Sequence, residues 1–373
     1  MNTAFAPQQA WFAYGTSQSS LTSTAYYNSG SLSGPSGSYS VNISSLLPGT
    51  KYYYKAYMTV WNGSGYVDIA GAVQSFTTSE ITSGSGSSEA YRSSFLYGFE
   101  IPATSVSLST SDTKYNGMYC HSTVSETYGE TKACIYNVSG TQRIVTHTFS
   151  YNSSVLPNYT MLYDYNKRAA LWVAYEENSS TYKNNNVGRN EGWAYDPAIP
   201  EDYQPNLSSS YTGSYDRGHQ VASNDRQTTT NQNKQTFYYS NMTPQNNSLN
   251  SGSWASLETA VQNLAKSTTD SQTVYVVTGP IFGSGYTSTT DKSGNSCPIP
   301  TKYYKCVVLC TLNSSGTPTS AKGCGYVFDH DGTSSARQEM TIDEVETLTG
   351  FDFFTSLPDS IETAMESTKG LSL

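Results

Sequence analysis

Alternation dominates the first 78 residues. In "KYYYKAYMTVW", residues 51–61, Tyr52, Tyr54, Ala56 and Met58 are expected to face one way and Tyr53, Lys55, Tyr57 and Thr59 the other. Pro48-Gly49 marks a turn before this run, and "NGSG" at residues 62–65 reads as a hairpin turn after it. The pattern then stops in "SEITSGSGSSEAYRSS", a Gly/Ser linker over residues 79–94. From Phe95 onward, β-rich stretches such as "TVYVVTGPIF" and "TKYYKCVVLCTL" mix with a few helices. One helix is predicted to start near Asn250 and carry "WASLETAVQNLAKS". Another is predicted from Thr341, where Thr341 and Glu344 form a capping box and Gly350 supplies the stop. The organisation is an all-β segment at 1–78, a linker at 79–94 and an α+β domain at 95–373. No stretch approaches the ~18 apolar residues of a membrane-spanning helix.

Composition sharpens this picture. Only 13 % of the 373 residues are charged, and Ser, Thr, Asn and 32 Tyr build the surface in their place. The net charge of −9 argues against binding polyanions through a global field, so any nucleic-acid site must be a local cationic patch. The six Cys include no CxxC pair, which removes zinc-ribbon and thioredoxin readings. Their even number and the low-charge surface suggest an oxidising compartment with some disulfides, hence an exported protein. Six buried free thiols are the alternative. HExxH, GxSxG and GxxxxGK[ST] are all missing, and with them the metalloprotease, α/β-hydrolase and P-loop readings.

Against this sparse background, "YDRGHQVASNDR" at residues 215–226 gathers one His, two Arg and two Asp. An Arg two residues from a His suits phosphate chemistry: the guanidinium neutralises the anion while a neutral imidazole activates water. Gly218 would leave room for a ligand to approach the backbone. Downstream, Asn250 and Glu258 lie eight residues apart on the predicted helix, about 80° apart around an unbroken one. An amide oxygen and a carboxylate are hard ligands suited to Mg²⁺. The plainer alternative is that Asn250 caps the helix and Glu258 is solvated. "FDHDG" at residues 328–332 reads as a polar turn, and His121 and His147 carry no predicted function.

Two resemblances follow from these residues. "LLPGTKYYYKAYM" and "AWFAYG" resemble the later strands of a fibronectin type III sandwich, with Tyr52 as its corner tyrosine, although few residues precede Trp11. "DRGHQVASNDR", "TFYYSNMTPQ" and "LNSGSWASLE", in that order, resemble the DNA/RNA non-specific endonucleases of the ββα-metal class. "AALWVAYE", "VGRNEGWAYDP", "VYVVTGPIF", "IPTKYYKCVVL" and "MTIDEVETLTGFDFFTSLPDSIE" extend the likeness over nearly all of the second domain.

The second resemblance implies an α+β fold, a mixed antiparallel sheet with flanking helices. It implies Mg²⁺-dependent cleavage of DNA and RNA to 5′-phosphate products, with Mn²⁺ as a substitute metal. His219 resembles the general base, Asn250 the direct metal ligand, and Glu258 the carboxylate that reaches the metal through water. Arg217 resembles the phosphate-binding Arg, Asp216 the acid that braces the motif, and Arg189 the Arg that steadies the transition-state phosphate. One position departs: Gln262 stands where the family commonly has a second Arg, which implies either weaker activity or compensation by Arg226 or Lys234. The alternative is a weak or inactive nuclease fold serving as a surface or adhesion module, with glycan contact through the β-segment.

Overall fold

The alternating run at residues 51–61 does form a strand. The computed structural model describes residues 7–15, 18, 21, 23–27, 41, 51–77, 95–104, 106, 108, 111–182, 187–331 and 336–373. It divides into two compact units, Met1–Ser93 and Ser94–Leu373. The turn at Pro48-Gly49 and the linker at 79–94 lie outside the described residues.

In the first unit, Lys51–Trp61 pairs with Pro7–Gly15 along one edge and with Tyr66–Ala70 and Gln74–Thr77 along the other. Ser23–Tyr26 continues the sheet beyond Pro7–Gly15. The predicted hairpin turn is present: Asn62 Oδ1 accepts the N–H groups of Ser64 and Gly65. Trp11 stacks on Tyr57 with ring centres 4.1 Å apart. Tyr52 is buried, but Ala56, expected on the same face, is exposed. Among the described residues these strands make one sheet, whereas a fibronectin-type sandwich has two. That likeness remains a proposal.

The second unit is built on a nine-stranded sheet. From one edge to the other it runs Gln338–Met340, Pro318–Asp329, Lys302–Leu312, Gln272–Ile281, Ala169–Glu177, Ser154–Asp164, Gln142–Tyr151, Lys132–Asn137 and Ser122–Ser125, and every pairing is antiparallel. Both faces are covered, so apolar residues run continuously along the central strands instead of alternating with polar ones. Val274, Val276 and Val307 enter one core with Trp254, Leu257, Val261 and Ala265 of the site helix. The intervening Tyr275, Val277, Cys306 and Val308 enter the other, with Ile342, Val345 and Met365 of the last two helices. The Thr341–Glu344 capping box is formed, and Gly350 closes its helix at φ 74°. Among the described residues no helix is long and apolar enough to cross a membrane.

The disulfide expectation is corrected: all six Cys are buried and none is joined in a disulfide. Cys306 and Cys310 point into the same core from one strand face, where they pack as small apolar side chains.

His147, left without a role by the sequence, sits at the centre of a fully buried charged triad. Its Nδ1 lies 3.0 Å from Glu126 Oε1 and its Nε2 lies 3.1 Å from Asp196 Oδ2. Tyr238 donates to Glu126, and Ser240 and the Ala198 N–H donate to Asp196. Burial opposes charge on the imidazole, but Asp196 and Glu126 outweigh it and raise the His147 pKa to about 10. Because that exceeds the unfolded value of about 6.5, the triad's stabilisation is complete below pH 6.5 and is lost as pH rises through 10. Urea midpoints measured from pH 6 to 10 should therefore fall for the wild type. His147→Gln should be destabilised by about 3–5 kcal/mol at pH 6 and should show a shallower slope than the wild type. Parallel slopes in the two proteins would show that His147 is not charged.

Candidate active site

The charge-rich motif is a strand. Tyr215–His219 pairs antiparallel with Met242–Asn246, placing His219 opposite Met242 and Asp216 opposite Gln245. The chain then turns directly into helix, so two strands and a helix carry Asp216, Arg217, His219, Asn250 and Glu258. Gly218 serves packing and not ligand approach: a Cβ there would lie 2.5 Å from the Gln245 side chain.

The helix begins three residues earlier than predicted. Asn246, not Asn250, is its cap, accepting the Ser248 N–H. After the turn Asn247–Leu249 comes a widened turn, Asn250–Trp254, and then the regular helix Ala255–Lys266. Gly252 breaks helical geometry at φ −104°, ψ −112°, so the 80° reckoning for an unbroken helix does not apply. Asp216 Oδ2 accepts from both Asn247 Nδ2 and Asn250 Nδ2, each at 3.0 Å. With its nitrogen committed to Asp216, the Asn250 side chain keeps its oxygen as an acceptor.

His219 lies between two cation–aromatic pairs. Arg217 stands 3.5 Å over the Trp193 ring, and Arg189 stands 4.7 Å over the Phe237 ring. Both rings meet the imidazole edge-on, at 5.8 Å and 5.2 Å between centres. Glu191 ties the outer members together, binding Arg189 Nε at 3.2 Å and Trp193 Nε1 at 3.0 Å. Arg189 is therefore part of the site and not an isolated loop residue. Arg217 also donates to the Leu207 carbonyl. Burial, with Arg189 and Arg217 adding to it, pushes the His219 pKa down to about 3. The imidazole is neutral at pH 7. A bond with the Arg217 backbone engages the ring, while Nε2 has no partner.

Glu258 occupies the inner side of the helix. Burial raises its pKa to about 7 despite the attraction of Lys305. Lys305, buried on Lys302–Leu312, lies 3.3 Å from the Tyr175 hydroxyl and 4.9 Å over the Trp254 ring. Tyr175 in turn donates to Asp225. Gln262 closes this network, donating to Asp225 Oδ1 at 2.8 Å. Arg226 cannot substitute for a missing surface Arg: it is fully buried and bonds the Asn158 and Asp225 carbonyls. Lys234 lies over Tyr128 and packs beside Gly192.

Sequence reasoning missed Trp193, Phe237, Glu191 and Lys305. All four sit inside blocks that carried the resemblance, but aromatics are too abundant in this chain to single any out, and nothing local marks Glu191 or Lys305. His330 was read as part of a polar turn. It bridges the Pro300 carbonyl and the Asn246 N–H and so holds the helix entrance.

A neutral imidazole, two guanidinium groups and the Asp216-bound Asn250 amide are thus gathered where the strand pair enters the helix. Residues 140–360 match the DNA/RNA non-specific endonuclease family, and the chain belongs to that family of hydrolytic nucleases. A Nostoc sp. nuclease is 31 % identical over 216 residues, covering 56 % of this chain and 75 % of the relative. A Serratia marcescens nuclease is 30 % identical over 249 residues, covering 64 % and 84 %. Human mitochondrial endonuclease G is 30 % identical over 160 residues, covering 41 % and 52 %.

Asp216→Ala releases Asn250 and should raise the metal concentration needed for half-maximal cleavage, lowering the rate about 10–100-fold at fixed metal. A metal titration of plasmid nicking checks this. An unchanged curve would remove Asp216 from the positioning role.

Proposed function

We propose that the chain is a Mg²⁺-dependent endonuclease that hydrolyses DNA and RNA to 5′-phosphate products without sugar or base preference. The observation that carries this reading is the neutral His219 with an unpartnered Nε2, held between Arg189 and Arg217. Asn250, with Glu258 reaching through water, would hold the cation, and their hard oxygen donors fit Mg²⁺ or Mn²⁺. When bound, the cation supplies charge stabilisation at the phosphate and the leaving oxygen. The other roles belong to the chain. His219 takes the proton of the attacking water through Nε2. Arg217 and Arg189 orient the phosphodiester and neutralise the charge of its transition state. Asp216 fixes the Asn250 amide. The Trp193 and Phe237 rings keep both guanidinium groups aimed past the imidazole.

None of these roles uses a 2′-hydroxyl or a base edge. The phosphate backbone carries no sequence information, which favours sugar- and sequence-blind cleavage. Gln262 removes one cation relative to the family pattern, which favours reduced phosphate affinity over loss of chemistry, because every other role is filled. Export rests on the Ser/Thr/Asn/Tyr-rich surface alone, since no disulfide joins the thiols.

Supercoiled plasmid should be nicked and fragmented by wild type in Mg²⁺ and left intact in EDTA. His219→Ala should lose about 10²–10⁴-fold in rate while keeping its fold. Intact plasmid and intact RNA in every reaction, Mn²⁺ included, would overturn the proposal in favour of a binding module.

A further inference from the structure

On the face of the sheet opposite the nuclease centre, the last two helices bring acidic groups together. Asp343 and Glu346 are three apart on Ile342–Thr349, on one side of that helix. Glu366 ends the helix Asp359–Glu366. Oxygens of Asp343, Glu346 and Glu366 all lie within 4.8 Å of one another. Ligand oxygens around Ca²⁺ sit at about 2.3–2.6 Å from the ion, so oxygens on opposite sides of it are about 5 Å apart. The three carboxylates therefore fit on one such sphere.

A second observation separates this group from an ordinary acidic surface. Glu366 is only 7 % exposed, and its Oε1 is buried without a hydrogen-bond partner. Burial and the charges of Glu346, Glu362, Asp352 and Asp343 together raise its pKa to about 9. No Lys, Arg or His pairs with these carboxylates in the ion pairs of the described residues. A buried, unpartnered carboxylate facing two others lacks a counter-charge, and a hard divalent cation supplies one.

We propose that Asp343, Glu346 and Glu366 form a Ca²⁺ site that clamps the two C-terminal helices onto the sheet. Glu346 also accepts the Phe353 N–H at 2.7 Å, which fixes the connection between the helices. Asp343 is exposed and leaves room for water to complete the coordination shell. The helices are bound to the sheet by Ile342, Val345 and Met365, so bound Ca²⁺ would stabilise the fold without touching the nuclease centre. The proposal does not depend on the nuclease reading.

The test is thermal melting of the full chain, stripped with EDTA and dialysed, against added CaCl₂. Wild type should gain roughly 5 °C at about a hundredfold excess over Kd. Asn250→Ala should gain as much. Glu366→Gln and Asp343→Asn should gain nothing, and Glu366→Gln should melt no lower than wild type without Ca²⁺ at neutral pH, because a neutral amide replaces a carboxyl that is already protonated there. Glu366→Gln should also cleave plasmid in Mg²⁺ at the wild-type rate. No gain in wild type up to about 10 mM CaCl₂, well above the weakest common Ca²⁺ sites, would overturn the proposal. So would an equal gain in Glu366→Gln and Asp343→Asn, or loss of the gain in Asn250→Ala, which would assign the effect to the nuclease centre.

Discussion

The buried contact of His147 with Glu126 and Asp196 is the constraint on which the second unit depends. It joins the edge of the sheet, one of its inner strands, the segment that carries Trp193 and the turn that launches Met242–Asn246. Each charge would be costly alone in that interior. Together the imidazolium and two carboxylates satisfy one another, with Tyr238, Ser240 and backbone N–H groups taking up remaining acceptor positions. The motif strand pairs with Met242–Asn246, so the placement of His219 traces back through Ser240 to this triad.

The chemistry was legible in the sequence where it is local. Asp216, Arg217 and His219 share one short strand, and the next strand leads straight into the helix bearing Asn250 and Glu258. The supports were not legible because they are long-range. Lys305 meets the Glu258 region from a central strand, and His330 meets Asn246 from a distant loop. The helix start was misplaced for a simple reason: "QNNSLN" offers three Asn, each a good cap. Only the bond from Ser248 N–H to Asn246 decides among them. The Cys were misread because a composition suited to export says nothing of which strand face a thiol occupies.

The Gln262 departure takes on a different meaning in three dimensions. An Arg there would bring a second cation beside Lys305, close to Asp225 and Glu258. Gln262 instead donates a neutral hydrogen bond to Asp225, which also takes the Tyr175 hydroxyl. Lys305 is then the cation nearest Glu258 within a covered network, and its charge is shared among Glu258, Asp225 and Glu177. Gln262 thus keeps this interior free of a second cation, and in the proposed function the burden of holding phosphate falls on Arg189 and Arg217.

That burden explains the aromatic architecture. In a chain of net charge −9, no long-range field draws a polyanion in. Two guanidinium groups must suffice, so their placement matters more than their number. Each lies over a ring, Arg217 on Trp193 and Arg189 on Phe237, and the rings meet at 4.9 Å between centres. A guanidinium stacked in this way loses less freedom on binding phosphate than one on a free side chain. Burial is the main reason His219 stays unprotonated, and the same two cations add to it by their charge. In the proposed function, a bound phosphate would offset that part of the positive field and raise the basicity of Nε2 as the imidazole takes its proton. Arg189 and Arg217 would then link substrate recognition to activation of the base, with few charged residues accomplishing both.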